Sequence, residues 1–184
     1  MANLSLYTVR AVVVMDGDGN RLIAKYYNRG QNVQSYKTLK EQQKFESELF
    51  SKTRKSNSEI VLYDGQTVLF KYVNDVYFYL VGNPEENELL LGAVLNGLVE
   101  AISQLLKYNI DKRSVLDNLD MVVLALDETI DDGIALETDP NAIAANVSKR
   151  GVDTIDVSLS NFNEQTVMDA YKLAKERFNL ALLR

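Results

Sequence analysis

The sequence predicts an α+β fold, a five-stranded antiparallel sheet covered by helices on both faces. Three observations predict it. Leu6 to Met15 is a nearly unbroken, valine-rich apolar run, the pattern of a strand buried on both faces. Asp64-Gly65 stands between two short apolar segments, and that dipeptide favours the type I′ turn whose twist matches a hairpin. A long segment after Asn83 is apolar on two faces at helical spacing, so it must be buried on two sides.

The elements follow in order. After the first strand, Asp16-Gly17-Asp18-Gly19-Asn20 supplies turn residues that tolerate positive φ, and Arg21 to Tyr27 is the returning strand. A polar stretch, Asn28 to Ser35, leads into a helix over about Tyr36 to Lys52 with a narrow stripe of Tyr36, Leu39, Phe45, Leu49 and Phe50. Glu59 to Tyr63 and Gln66 to Tyr72 make the hairpin, and Val76 to Val81 is the fifth strand after Asn74-Asp75.

Asn83-Pro84-Glu85-Glu86 has the order of a helix start: a capping side chain, proline at the first position, then early negative charge. The helix is expected to reach about Lys107. Leu91, Val94, Leu95, Leu98, Ile102, Leu105 and Leu106 form its core stripe. Its second face carries Leu90, Ala93, Gly97 and Ala101, mostly small, and is the expected contact with a second layer or a second protein.

Met121 to Leu126 reads either way. As a short apolar run it suits a strand; with Asn118 as a cap, Asp120 in the first turn and Gly133 as a stop it suits a helix. Asp139-Pro140 starts a short helix near Asn141 to Ser148. Lys149 to Phe162 looks like a linker, and Val167, Ala170, Tyr171, Ala174, Phe178 and Leu182 predict an amphipathic helix to the end. The domain expectation is therefore 1–150 for the sheet-and-helix body, with 151–184 as linker and helical extension.

Composition removes whole classes of chemistry. The 184 residues suit one domain, and a chain of this size buries roughly 70% of its unfolded surface. There is no cysteine and no histidine, which excludes disulfides, cysteine nucleophiles and histidine-based triads and leaves no ligand set for structural zinc. Twenty basic against 26 acidic residues give a net charge of −6, a poor match to nucleic acid or anionic lipid. No apolar run approaches the ~20 residues of a membrane span. Met1-Ala2-Asn3 has no signal-peptide profile, and Ala2 stands where myristoylation needs glycine. A cytosolic chain is expected, with the sequons at Asn3 and Asn146 unused.

Candidate sites are few. Asp16 to Asn20 begins like a calcium loop, but Arg21 replaces the glycine of the sixth position and Tyr27 the glutamate of the twelfth, so a hairpin turn is expected. Asp127, Glu128, Asp131 and Asp132 could be a metal cluster, an acid–base pair or a solvated helix end. Carboxylates three and four apart repel and oppose the helix dipole, which suggests that a basic partner patch faces them. Lys37, Lys40, Lys44, Lys52, Arg54 and Lys55 could meet an acidic partner or the membrane surface, but they are interspersed with Glu41, Glu46 and Glu48, so a solvated helix face is expected. There is no phosphate-binding glycine loop. No enzyme activity, cofactor or metal is expected.

Several segments carry a family resemblance: Arg21-Leu22-Ile23-Ala24-Lys25-Tyr26-Tyr27, Glu86-Asn87-Glu88-Leu89-Leu90-Leu91, and Leu126 to Gly133 followed by Leu136-Glu137-Thr138-Asp139. In combination they resemble the small subunits of vesicle coats, the sigma chains of clathrin adaptors and the zeta chains of coatomer. The resemblance covers residues 6 to 150. Leu6-Tyr7-Thr8-Val9 and the extension beyond residue 150 bring it nearest to the zeta chains. It implies a longin-like fold of order ββαβββαα, which makes Met121 to Leu126 helical. It also implies a non-enzymatic coat subunit bound to the large gamma subunit of coatomer, recruited with the complex by an Arf-type GTPase. Membrane association would be peripheral, on the cytosolic face of Golgi membranes, in retrograde transport to the endoplasmic reticulum. For a sigma chain, the alternative, it implies a dileucine-signal pocket lined by Val76, Val99 and Ile110, with Asn109 beside them and Arg21 at the acidic end. Asn74 departs from that pattern, being polar where sigma chains carry a small apolar residue, so the pocket is expected to be vestigial.

Overall fold

A computed structural model describes residues 6–27, 36–56 and 58–159, the last stretch from 151 as helical backbone only. Strands β1 (Val9–Asp16), β2 (Arg21–Tyr26), β3 (Ile60–Tyr63), β4 (Gln66–Val73) and β5 (Val76–Gly82) form one antiparallel sheet of order β2-β1-β5-β4-β3. The predicted class holds, with helices on both faces. Every residue of β1 is buried, because it lies inside the sheet with apolar layers above and below.

The turns explain the hairpins. A Cβ on Gly19 (φ +84) would stand 2.5 Å from the Phe50 ring, so glycine lets the β1–β2 turn meet the helical layer. Asp64 and Gly65 have φ of 51° and 67°, the double positive φ of a type I′ turn. Asn74, at φ 54°, turns β4 into β5.

One face is covered by α1 (Leu39–Thr53), started by a capping box between Thr38 and Glu41. Phe45, Leu49 and Phe50 meet Val13, Met15, Phe70 and Tyr79 in a single core cluster. Leu39 does not join them and is 60% exposed. It lies six residues ahead of Phe45, about 120° round the helix, which takes it off the buried stripe.

The other face is covered by α2 (Glu88–Leu105). The expected stripe is buried at Leu91, Val94, Leu95, Leu98, Ile102 and Leu106, and packs on Val12, Val14, Phe78 and Leu80. By length and composition α2 could cross a membrane, but here it is a core helix. Its start differs from expectation. Asn87 is the cap, accepting from Leu89 N at 2.9 Å, while Asn83 to Glu86 forms a turn closed by Glu86 N to Asn83 O at 3.1 Å. Tertiary contact decides this: Leu91 seats directly over Gly82, where a Cβ would collide with it, so the chain needs those extra residues to double back.

After α2 come α3 (Lys112–Asp117) and α4 (Leu119–Thr129). The first is a short helix capped by Asp111, whose side chain accepts from Ser114 N at 2.7 Å. The second settles the ambiguous segment as helix: Val122, Ala125, Leu126 and Thr129 are buried at helical spacing. Gly133 is not the helix stop. It belongs to a hairpin of β6 (Ile130–Asp131) and β7 (Ile134–Ala135), with Asp132 and Gly133 at φ 49° and 88° in the turn. That hairpin is moored to the sheet by Val9 N donating to Gly133 O at 3.0 Å.

Helix α5 (Pro140–Leu159) begins where expected and continues beyond Ser148, so the first part of the expected linker is helical. Its remainder, and the amphipathic helix over Val167 to Leu182, lie outside the described residues. The chain divides into compact units Met1–Val147 and Ser148–Arg184.

Candidate functional site

The four acidic residues occupy two elements. Asp127 and Glu128 end α4, whereas Asp131 lies on β6 and Asp132 in its turn. The expectation that all four oppose one helix dipole is corrected for the last two. Part of the repulsion is relieved internally: Lys25 on β2 pairs with Asp127, and Asn146 Nδ2 donates to Glu128 at 2.7 Å. Asp131 is exposed. Beneath them lies Tyr27, whose hydroxyl has no hydrogen-bond partner among the described residues. Burial and then the neighbouring Asp127, Asp131 and Asp132 raise its pKa well above the ordinary phenol value. The carboxylates are dispersed around the ring, and among the described residues no three acidic side chains come together to hold a metal.

The second face of α2 is divided. Leu90 is 41% exposed and Ala93 is exposed, whereas Gly97 and Ala101 are buried. A Cβ on Gly97 would collide with the Thr138 carbonyl. Gly97 is therefore bare because this chain's own segment crosses it, and no outside helix is needed to explain it. Leu89, one residue ahead of Leu90, is 83% exposed. Among the described residues nothing covers the α2-facing side of β3 either, with Ile60 at 41% and Leu62 at 68% exposure. The sequence reading missed these three residues. The signal available to it was Ile60-Val61-Leu62-Tyr63, apolar on both faces in a strand of four.

The expected cargo-pocket residues divide between core and surface. Val76, Val99 and Ile110 are core, at 0%, 4% and 2% exposure. Arg21 is engaged elsewhere, its Nε and Nη2 on the two oxygens of Glu46 at 2.9 and 2.6 Å. Glu46 is 4% exposed and also accepts from the Tyr26 hydroxyl at 2.7 Å, so it holds a buried charge fully paired. Asn109 is exposed and donates to Asp111 and Ser114. Asn74 is engaged within the chain, its Nδ2 donating to Ile110 O at 2.7 Å and lacing the β4–β5 turn to the segment after α2. The amide is satisfied within the chain.

Beside that lacing sits a buried carboxylate with several donors. Asp16, 1% exposed, accepts from the backbone N–H groups of Asp18 and Asn20 at 3.0 and 2.8 Å, and from Lys112 Nζ at 2.8 Å. Burial alone would raise its pKa, but the lysine and amide donors outweigh burial and bring it down to about 2. Asp75 accepts from Lys112 N at 2.9 Å, so two turns and the start of α3 are pinned together. The calcium-loop pattern is thus a hairpin whose aspartate faces inward to a lysine.

Comparison with known proteins fits this geometry. The family model of the clathrin adaptor complex small chain matches residues 8–154. A human coatomer subunit zeta-1 is 44% identical over 180 residues, covering 98% of this chain and 96% of its own. Its rice counterpart is 37% identical, covering 96% and 97%. The yeast coatomer subunit zeta is 38% identical over 183 residues, covering 97% and 96%. A chain in a homology model of the full-length AP-3 complex, in a stretched open conformation, shares the fold with a TM-score of 0.57 at 18% identity, over 83% of this chain and 98% of that one. The chain belongs to the clathrin adaptor small-chain family and, within it, to the coatomer zeta subunits.

Proposed function

We propose that this chain is a structural subunit of the coatomer coat that binds the large gamma subunit directly and holds its trunk in shape. The observation that carries the proposal is the 44% identity over 98% of the chain to a coatomer zeta subunit. A small coat subunit needs no reacting groups; it needs a rigid body and uncovered surface. The two-faced sheet supplies the first. Leu90 and Ala93, with Asp127, Glu128, Asp131 and Asp132, supply the second. The other coatomer subunits and an Arf-type GTPase reach the chain through the assembled complex. Its place is the cytosol and the cytosolic face of Golgi membranes, in retrograde traffic to the endoplasmic reticulum and within the Golgi.

The test is co-expression of the full chain with gamma, followed by gel filtration. Stoichiometric co-elution is the expected result, and a chain that never co-elutes overturns the proposal. Reading of dileucine cargo is the alternative, and the lacing of Asn74 to Ile110 stands against it. Dileucine peptides are expected not to bind; saturable binding at micromolar concentration would restore the sigma-type reading.

A further inference from the structure

Among the described residues, the helical layer on the α2 side of the sheet is one helix short. Strands lie about 4.8 Å apart and a helix is about 10 Å across, so one helix covers roughly two strands. Helix α2 packs on β4 and β5, and α4 packs on α2. On that side α4 lies toward β2, to which it is tied by the Lys25–Asp127 ion pair. At the opposite edge of the sheet, β3 keeps its α2-facing side bare. The register shows that side: Ile60 pairs with Leu69, a member of the α2-side core, and Leu62 pairs with Thr67, itself opposite Gly82 under Leu91. The other side chains of β3, Val61 and Tyr63, pack with the α1 layer. A trough of about 400 Å³ runs between β3–β4 and the first turns of α2. Its floor includes Leu69 and Leu95, and its walls carry Ile60 and Leu89.

The charges around this trough select the occupant. Glu59 and Glu88 line it, and neither carboxylate has a hydrogen-bond or ion-pair partner among the described residues. The one lysine in the lining, Lys71, is directed to Asn96 Oδ1 at 3.1 Å. An occupant therefore meets apolar side chains flanked by negative charge. Anionic lipid is disfavoured by the same carboxylates and by the net charge of −6.

The geometry points to a docking site for one amphipathic helix of the large subunit, lying alongside α2 over β3, with leucine-type side chains inward and lysine or arginine at its flanks. This rests on the proposed binding to gamma and says where and by what chemistry that binding occurs. The helix continues the layer that α4 and α2 begin and buries Ile60, Leu62 and Leu89. Glu59 and Glu88 then meet its basic residues.

The experiment measures affinity of the full chain for gamma. Two double variants, Leu62→Ser with Leu89→Ser and Glu59→Lys with Glu88→Lys, are compared with Leu116→Ser, which alters an exposed leucine of α3 outside the trough. Leu62 and Leu89 are 68% and 83% exposed, so unchanged thermal melting of the isolated variants confirms that they fold. The expected result is a loss of affinity of about tenfold or more for each double variant, with a smaller salt dependence for the charge reversal and no change for Leu116→Ser. Binding by the wild type with both double variants within about twofold of it overturns the trough alone. A wild type that does not bind gamma overturns the partner reading and this one with it. A photo-crosslinker at position 62 is expected to mark gamma residues three, four and seven apart. Marks two apart mean a strand added to the β3 edge and overturn the helix. A discrete homodimer lost in Leu62→Ser with Leu89→Ser makes a second copy the occupant and overturns it equally.

Discussion

A methyl group on Gly97 would collide with the carbonyl of Thr138, which is backbone and cannot swing aside. Two effects compete there. Alanine in a helix interior gains about 1 kcal/mol over glycine in propensity, while forced overpacking costs about 1–3 kcal/mol. The rigid obstacle lets the second win, so Gly97→Ala should lower the melting temperature of the isolated chain, measured by circular dichroism. A raised melting temperature would mean that the Thr138 segment yields freely. Asp16 gives a second prediction, in pH. Its folded pKa is depressed to about 2 from 3.8, so its stabilisation is present above pH 3.8 and is lost as pH falls toward 2. The shift corresponds to about 1–2 kcal/mol once the half-exposed Lys112 is allowed its screening by water. Acid titration of wild type against Asp16→Asn should show the wild type losing its advantage across that window, and parallel curves would place the stabilisation elsewhere.

The hairpin β6–β7 turns the acidic segment from a helix end into a surface presented by two elements. Its turn residue Asp132 has φ 49°, a conformation asparagine adopts readily, and Asp131 is exposed. Asp131→Asn with Asp132→Asn should therefore preserve or raise the melting temperature of the isolated chain, by removing repulsion with Asp127. The same pair should weaken binding to gamma, most at low salt, where screening is least. Affinity unchanged across salt would mean that these carboxylates face only water. The sequence is uneven as a guide to such elements. Asp64-Gly65 and Asp132-Gly133 are the same dipeptide, both residues at positive φ in each, but only the first is flanked by strands long enough to show alternation. The second follows the helical stripe of Val122, Ala125 and Leu126 and joins strands of two residues, so its turn is masked by its neighbour. Asn83-Pro84 likewise has every local mark of a helix start, and the seating of Leu91 over Gly82 displaces it.

At the scale of the whole molecule, the sheet, its two faces and α2 were legible because burial on two sides writes itself into residue spacing. The bare side of β3 was not. Ile60 and Leu62 look the same in sequence whether a helix of this chain or of another covers them, and only the width of α2 against five strands exposes the shortfall. Their exposure also sets how the chain behaves alone. Leu62, Leu89 and Leu90 are 68%, 83% and 41% exposed, Leu89 on the wall of the trough, and exposed apolar surface of this kind drives association. Opposing it at pH 7 is a net charge of −6, a repulsion that salt screens and that fades toward the pI of about 4.8. The isolated chain should therefore form heterogeneous oligomers that grow with concentration, with added salt and with acidification toward pH 5. Co-expression with gamma should suppress them by covering the trough. Sedimentation velocity across protein concentration and ionic strength checks this. A monodisperse monomer at high salt and high concentration would mean that the exposed leucines are too dispersed to act as one surface, and that the chain can stand without its partner.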